Sequence, residues 1–488
     1  MKYLRGEVSM SEEQTMKLST KLDENIKYFN QILNVEKNFD ILYRVVRFGG
    51  KTALLYFIDG FCKDEVLEKL MEFFYKIEEK EMPESAYEML KSQIPYIEID
   101  LMEDLDGIVQ SILSGTPCLI VDGYDHAIMI DARSYPLRGV EEPEKDKVMR
   151  GSRDGFVETL VYNTALIRRR IRNPKFTIEI TTVGRSSRTD LVICYMEDRV
   201  DQKLLKKVKD KIEAIDVEAL TLNQESLAEC FHEGSGWNPF PKFKYSERPD
   251  TTAASILEGS IALLVDNSPA AMILPTTIFD IVEEANDYYF PPITGTYLRL
   301  SRFLINILSV ILTPMFLLFI NNPQWIPSGF EFIQVKETIH IPIIWQFLIL
   351  ELALDGLRLA SINTPSMLST PLSVAAGLII GDFTVSSGWF NAEAMLYEAF
   401  VAIASYTQAS YELGYALKFM RILTLVLTCW FHLYGFIAGI LIAVLTVAFT
   451  KTISGRSYIY PLIPFNGKNL WHRFFRQSIL SAGRNKRG

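Results

Sequence analysis

The sequence predicts a duplicated, soluble α/β head followed by an all-α, multi-pass transmembrane bundle. Two similar segments lie in the N-terminal part of the chain, which indicates a repeated unit. From about residue 299 the chain becomes strongly apolar, with runs long enough to cross the ~30 Å hydrocarbon core of a bilayer as helices. A few charged residues stand inside these runs, and such residues usually have a functional role because charge is costly at that depth.

The first 35 residues are polar and charged, and we expect them to form a polar N-terminal arm. They lack the apolar core of a signal peptide, so the head is expected to be cytoplasmic. The five cysteines form no CxxC pair, and the five histidines show no metal-ligand spacing. The formal net charge of -9 gives no indication of nucleic acid binding.

Residues 36–135 and 155–298 are predicted to be two α/β subdomains of the same design. Each begins with two β-rich runs around a turn, followed by a helical pattern. Later in each subdomain, ILSGTPCLIVDGYDHAIMID (residues 112–131) aligns with ILEGSIALLVDNSPAAMILP (residues 256–275). Both contain a helix end, a Gly, an apolar strand, an Asp turn and a second apolar strand. Chance similarity between apolar hairpins is the alternative to duplication.

Residues 136–154 are rich in Pro, Gly and charge, so we expect them to link the two subdomains. The helix after this linker ends in a basic cluster of Arg168, Arg169 and Arg170. This cluster could contact anionic lipid, an acidic partner or a neighbouring subunit. The alternative is a solvated helix face with local ion pairs.

The segment NPFPKFKYSERPD (residues 238–250), here called the strap, has prolines that exclude a helix. We expect Glu247 and Arg248 to form an ion pair that fixes the strap to the second subdomain. With Asp250 and the three arginines of the basic cluster, they are the candidates for strap or inter-subunit contacts.

The transmembrane domain is expected to cover residues 299–455 with about five or six spans. The candidate spans are residues 301–320, 341–362, 368–388 and 394–408, and an apolar stretch at 419–450. As one helix that stretch would be roughly 48 Å long, which is too long for one span and short for two. Gly435 and Gly439 interrupt it, so a kinked helix and two short helices both remain open.

Basic residues beside the spans predict that the head lies inside the cell. The tail, residues 456–488, is also basic, which favours an even number of crossings. The residues that carry this argument are Arg299, Arg302, Arg358, Lys418 and Arg421.

Glu351, Asp355 and Arg358 lie on one face of a predicted helix, at positions i, i+4 and i+7. One hypothesis is a pore, in which this face lines a water-filled path for ions or small charged solutes. The other is an internal charge network that only neutralises itself and locks the bundle. His432 and Glu412 are weaker candidates of the same kind.

Motifs for nucleotide binding or catalysis are not found. There is no Walker A loop, dinucleotide fingerprint, Ser-His-Asp order or HExxH. The segment GRSSRTD (residues 184–190) lies between two predicted strands and is interpreted as a tight hairpin. The sequence therefore predicts neither an enzyme nor a cofactor.

Several motifs resemble the A subunits of GerA-type spore germinant receptors, in the same order and over nearly the whole chain. They are VMRGSRDGFVETLVYNTALIRRRIR, GRSSRTDLVICYMED, NPFPKFKYSERPD, ILEGSIALLVDNSP and the helix with Glu351, Asp355 and Arg358. Three more features resemble one branch of that family: DARSYP (131–136), ASYELG (409–414) and YIYPLIPFNGKNLW (458–471). The chain differs from the family pattern at Ser246, Ser260 and Asp355, where Thr, a basic residue and Glu are usual.

The resemblance implies a multi-pass protein of the spore inner membrane that acts in germination. It implies a homo-oligomer. In this family, the oligomer is expected to form an ion-conducting channel that releases ions from the spore core. The alternative is a non-conducting scaffold that assembles germination receptor or dipicolinate-release proteins. The expected partners are other copies of the chain, other spore germination membrane proteins and the lipid bilayer, without nucleic acid.

Overall fold

The computed structural model describes residues 16–133, 151–231, 238–363, 377 and 383–476. The chain divides into two compact units. The first unit holds nearly all residues up to Leu274, and the second holds those from Pro275 onwards together with strap residues up to Lys244.

The first unit contains two successive sets of elements in the same order. The first set is α1 (Leu22–Ile32), β1 (Ile41–Phe48), β2 (Lys51–Ile58), α2 (Asp64–Phe74), α3 (Ala86–Ser92), β3 (Ile99–Met102), α4 (Leu105–Leu113), β4 (Cys118–Val121) and β5 (Ala127–Ile130). The second set is α5 (Leu160–Arg168), β6 (Phe176–Val183), β7 (Thr189–Met196), α6 (Gln202–Glu213), α7 (Gln224–Phe231), β8 (Lys244–Ser246), α8 (Pro249–Leu257), β9 (Ile261–Val265) and β10 (Ala271–Leu274).

Each set forms one five-stranded sheet, and the two sheets have the same strand order. The orders are β1-β2-β4-β5-β3 and β6-β7-β9-β10-β8. The strand pairs with a described register are antiparallel. An identical, non-sequential order in both sheets is what duplication of one α/β unit produces.

Local sequence explains the hairpins that begin each sheet. β1 and β2 pair up to Phe48 and Lys51, so Gly49 and Gly50 alone form the turn. Their φ angles are +50° and +74°, as a two-residue type I′ turn requires. β6 and β7 pair up to Val183 and Thr189, which places the GRSSRTD segment at the hairpin predicted for it.

The aspartate of each aligned segment holds the start of a helix in the same way. Asp122 Oδ1 accepts a hydrogen bond from the Leu22 N–H, and Asp266 Oδ1 accepts one from the Leu160 N–H, both at 3.2 Å. These bonds supply acceptors for N–H groups that have no partner within their helices. The repeat therefore starts with α1 and α5, upstream of the hairpins.

This corrects the predicted N-terminal arm. Residues from Leu18 belong to the first α/β subdomain, because α1 packs on the sheet through Leu22, Phe29 and the following Leu33, all buried. Charged residues between these apolar positions made the segment appear wholly polar. An amphipathic helix needs only one apolar face to dock.

Helices cover both faces of the first sheet, and side chains of each strand alternate between them. In β2, Leu54 and Tyr56 pack with α1 and α4, whereas Ala53 and Leu55 pack with α2 and α3. Strands buried on both faces are continuously apolar, as β4 (CLIV) shows.

The second unit is helical and contains eight helices among its described residues. They are α9 (Ile278–Val282), α10 (Asn286–Tyr289), α11 (Pro292–Asn321), α12 (Ile343–Asn363), α13 (Thr384–Ser386), α14 (Ala392–Tyr406), α15 (Tyr411–Phe449) and α16 (Gly467–Phe474). The predicted transmembrane domain, residues 299–455, lies within this unit, which also contains α9, α10 and the first residues of α11.

Three of the predicted spans fall on helices, and one cannot be located. Spans 301–320, 341–362 and 394–408 lie on or largely on α11, α12 and α14. The span at 368–388 lies mostly outside the described residues, as does most of the linker at 136–154. The described part of the basic tail ends at Arg476 and contains α16.

α15 is a helical hairpin that reverses at His432, where φ is +50° and ψ is -127°. A Cβ on Gly435 would lie 1.8 Å from the Leu427 carbonyl oxygen, and one on Gly439 would lie 2.7 Å from Thr424 Cα. Residues eight apart in a straight helix are separated by roughly 12 Å, so the two arms run antiparallel. The glycines lie where the arms touch.

Two helices, α11 and α15, are long and apolar enough to cross a membrane. Only 33% and 11% of their most apolar windows are buried. A core helix of a soluble protein would be mostly buried, so these two largely unburied apolar helices are compatible with a membrane protein.

Candidate functional site

Six charged side chains from three helices of the second unit surround a cavity of about 20 Å³, which has room for roughly one water molecule. We call these six residues the cavity cluster. α12 supplies Glu351, Asp355 and Arg358, α14 supplies Glu398, and α15 supplies Lys418 and Arg421.

α12 presents its charges to the cavity because of their helical spacing. Positions i, i+4 and i+7 share one face, and all three residues line the cavity. Apolar residues on the other faces of α12 point outward: Leu352 is 74% exposed, and Leu359 and Ile362 are also exposed. The structure therefore places the three charged residues on one face of α12, as their spacing predicts.

Glu351 is buried, with 5% of its surface exposed, and receives two cations from α15. Its Oε1 accepts hydrogen bonds from Arg421 Nε at 2.6 Å and from Arg421 Nη2. Its Oε2 lies 3.1 Å from Lys418 Nζ. Arg421 also donates to the Ser309 carbonyl on α11 at 3.1 Å. Such pairing is what allows a buried charge to persist.

Asp355 and Arg358 are less buried and have different partners. Lys418 Nζ bonds Asp355 Oδ2, and the aspartate side chain is 32% exposed. Arg358 Nη2 donates to Ser405 Oγ at 3.0 Å, and its guanidinium carbon lies 5.3 Å from the ring centres of Tyr406 and Tyr415. Cation–π contacts thus stabilise this arginine.

Glu398 lies beside Glu351 and has no such partner. It is 3% exposed, and neither carboxylate oxygen accepts a hydrogen bond from the residues that the structure describes. Sequence analysis used Lys418 and Arg421 only to predict orientation and did not single out Glu398. Their positions within apolar helical runs were the signal that they belong with Glu351.

The cations that neutralise Glu351 come from α15 of the same chain. Lys418 and Arg421, which the orientation argument used, lie within α15 and are ion-paired.

Arg299 and Arg302, the other basic residues in that argument, are also paired within the second unit. Both contact the buried Asp287, and Arg299 Nη2 bonds Glu283 at 2.7 Å. Burial raises the pKa of Glu283, but Arg299, Lys244 and Arg473 outweigh this and hold it below its ordinary value. The C-terminal helix is attached here too, because Arg299 Nη1 donates to the carbonyls of His472 and Arg473.

The basic cluster at the end of α5 is not a uniform surface. Arg168 is fully buried and bonds Asp40 through two nitrogens at 2.9 and 3.0 Å, so it joins the two α/β subdomains. Arg170 bonds Asp154, whose pKa this pair lowers although burial opposes it, and Arg169 is exposed. The prediction that Arg168 contacts lipid or another subunit is therefore wrong.

The strap is held by Arg248, which is buried. Its Nε bonds Asp250 Oδ1 at 3.1 Å, and its Nη2 bonds Asp250 Oδ2 at 2.6 Å and the Ser152 carbonyl at 2.9 Å. The carbonyl of Glu247 accepts from the Phe156 N–H at 2.8 Å. The strap is thus fixed to the second subdomain, with Asp250 as the described partner of Arg248.

The two weaker candidates lie outside the cavity lining. His432 forms the reversal of α15, and Glu412 lies in its first turn. Among the described residues, no group of His, Cys, Asp or Glu has the arrangement of a metal site.

The family model "Bacillus/Clostridium GerA spore germination protein" matches residues 27–487. Stage V sporulation protein AF of Bacillus subtilis (strain 168) is 38% identical over 454 residues, which cover 93% of this chain and 92% of that protein. This is the branch that the DARSYP, ASYELG and YIYPLIPFNGKNLW segments indicate. Spore germination protein KA of the same strain is 24% identical, covering 95% of this chain and 86% of that one.

One solved structure is also similar. It is the N-terminal domain of the A subunit of the Bacillus megaterium spore germinant receptor GerK3, with 22% identity and a TM-score of 0.41. The match covers 53% of this chain and 96% of that domain.

Proposed function

Because this chain belongs to the GerA family of spore germination proteins, we propose that it acts in germination as a subunit of an ion-conducting oligomer in the spore inner membrane. The observation that carries the proposal is that the cavity cluster lies among helices whose exposed side chains are largely apolar. In this proposal the chain is not an enzyme, and its partners are other copies of itself, other germination membrane proteins and lipid.

Charged residues inside a membrane bundle are retained at a cost, and they commonly mark an ion path. Asp355 and Arg358 are half-buried and could meet water from the cavity, whereas Glu351 is fully buried. The cavity has room for about one water, so this arrangement corresponds to a closed path. Opening of this path requires α12 to move away from α14 and α15.

We propose a multi-pass arrangement with the first unit on the cytoplasmic side. α11 and the two arms of α15 supply apolar length for crossings, since the arms of 411–431 and 433–449 would be roughly 31 and 25 Å long. A hairpin adds two crossings, so together with the four candidate spans that precede it the number of crossings is even, which agrees with a basic tail on the same side as the head.

The alternative is a non-conducting scaffold for other germination proteins. The pairing of Glu351 with Arg421 and Lys418 favours it, because a network satisfied within one chain can serve only to lock the bundle. The scaffold needs no water around Asp355, and this difference separates the two functions.

The test is current through the purified protein in planar bilayers, with Asp355→Asn as the variant. Removing this half-exposed charge should leave assembly intact but lower conductance and cation preference. Glu393→Gln, on α14 outside the cavity lining, is the matched control and should conduct like the wild type. An assembled wild-type protein without current would favour the scaffold. A variant that conducts with the same cation preference as a conducting wild type would show that Asp355 is not part of the path.

A further inference from the structure

Glu398 stands apart within the cavity cluster because its carboxyl group lacks donors. Its side chain lines the cavity, is 3% exposed, and meets no hydrogen-bond donor among the described residues. A buried, ionised carboxylate requires donors or a counter-charge. The described residues supply neither, so a proton or a bound cation fits this position.

The charged groups around Glu398 leave it as the unmatched acid. α15 presents Lys418 and Arg421, but these bond Glu351 and Asp355 of α12. Arg358 of α12 is held by Ser405 and two tyrosine rings. The other cavity-lining groups of α14 that can hydrogen bond are Ser405 and Tyr406, and α11 contributes no lining residue. The described cations thus leave Glu398 without a bonded positive charge, although the cluster as a whole holds three acids and three cations.

A proton would supply that charge in the resting state. Two neighbouring ionised carboxylates repel each other, and one proton shared between them removes the repulsion. Protonated Glu398 would become a donor, and Glu351, the acid beside it, an acceptor. The shared proton explains how two acids can lie side by side, since neither carboxylate can donate a hydrogen bond when it is ionised.

The cavity also limits what else could bind. Its volume of about 20 Å³ admits roughly one water-sized particle. A divalent cation would need about six oxygen ligands and two compensating charges, and the described residues form no such group. A small monovalent cation fits both the space and the one carboxylate of the cluster that has no described donor.

We propose that Glu398 is a site at which a proton and a monovalent cation compete. In the resting state Glu398 and Glu351 share the proton. When the cation enters, the proton leaves to water and the cation takes its place between the two carboxylates. The site would couple cation entry to proton release, and it deepens the proposed function, because the cation is the class of ion that the path would carry.

The experiment is infrared difference spectroscopy of the protein in lipid nanodiscs at neutral pH. The carbonyl band of a protonated carboxyl group should be present in N-methylglucamine chloride and should weaken as KCl replaces it, but not with MgCl₂. Glu398→Gln should abolish the band, because the amide keeps the shape and can donate to Glu351 without titrating. Glu393→Gln, five residues earlier on α14, should keep it.

Glu398→Asp is a second variant, needed in case Glu398→Gln loses the band only because it misfolds. It keeps an acid at this position, so it should shift the carbonyl band and not remove it. A wild-type band that is absent, or that ignores KCl, overturns the proposal. The measurement needs no current. A potassium-sensitive band without conductance would refute the channel and keep the site, and conductance without the band would refute the site alone.

Discussion

Two charge clusters of the second unit differ in how completely they are paired. One, called the anchor cluster, consists of Asp280, Glu283, Asp287, Arg299, Arg302 and Arg473. Each of its acids contacts at least one arginine. The cavity cluster leaves Glu398 without a donor and encloses space for water. A complete network serves to attach segments, whereas an incomplete one beside a cavity leaves a position for a ligand.

The largest effect should come from Asp287→Asn in the anchor cluster. Asp287 is fully buried between Arg299 and Arg302, and the change leaves two buried cations without their shared partner. We expect the free energy of unfolding to fall by about 3–5 kcal/mol. Thermal unfolding in detergent measures this, with the exposed Glu337→Gln as control. A loss no larger than the control's would show that the anchor is dispensable.

In the cavity cluster, a double-mutant cycle tests the pair of Glu351 and Arg421. Glu351→Gln should destabilise the unit by about 3 kcal/mol, because Arg421 loses its carboxylate while Lys418 keeps Asp355. Adding Arg421→Gln should recover about 1–3 kcal/mol relative to the sum of the single effects. Additive losses in the thermal unfolding measurements would mean that the two side chains do not interact.

A glycine of the α15 hairpin tests whether the fold-back positions Lys418 and Arg421. Gly435→Ala should cost about 1–3 kcal/mol, because its methyl group would collide with the Leu427 carbonyl. Gly356→Ala on α12 is the matched control, since no atom lies within 4 Å of its added Cβ. Equal stability of the two variants would contradict the close contact between the arms.

The smallest expected effect is the contribution of the anchor cluster to the pH dependence of stability. The folded-state pKa of Glu283 is below its ordinary 4.5, because three cations outweigh its burial. Its stabilisation is therefore complete above pH 4.5 and is lost as the pH falls below that value. Glu283→Gln should flatten this part of the curve of unfolding temperature against pH. An unchanged slope would assign the acid sensitivity to other carboxylates.

The sequence determined the features that depend on neighbouring residues. The repeat appears in two aligned hairpin segments, the Gly49–Gly50 turn in adjacent glycines, and the charged face of α12 in the spacing of Glu351, Asp355 and Arg358. Turn geometry and helical periodicity act over a few residues, so pattern alone reveals them.

Only the tertiary structure decided how distant residues pair. Glu351 and Arg421 are 70 residues apart, and Asp40 and Arg168 are 128 apart, so no local rule joins them. The reversal of α15 occurs at His432, where no glycine or proline marks a break, and it becomes visible only through the contact of the two arms. Glu398 likewise became a candidate once packing had given the nearby cations to other acids. The partner of a buried charge is decided by which helices pack together, because desolvation leaves each charge dependent on the groups that surround it.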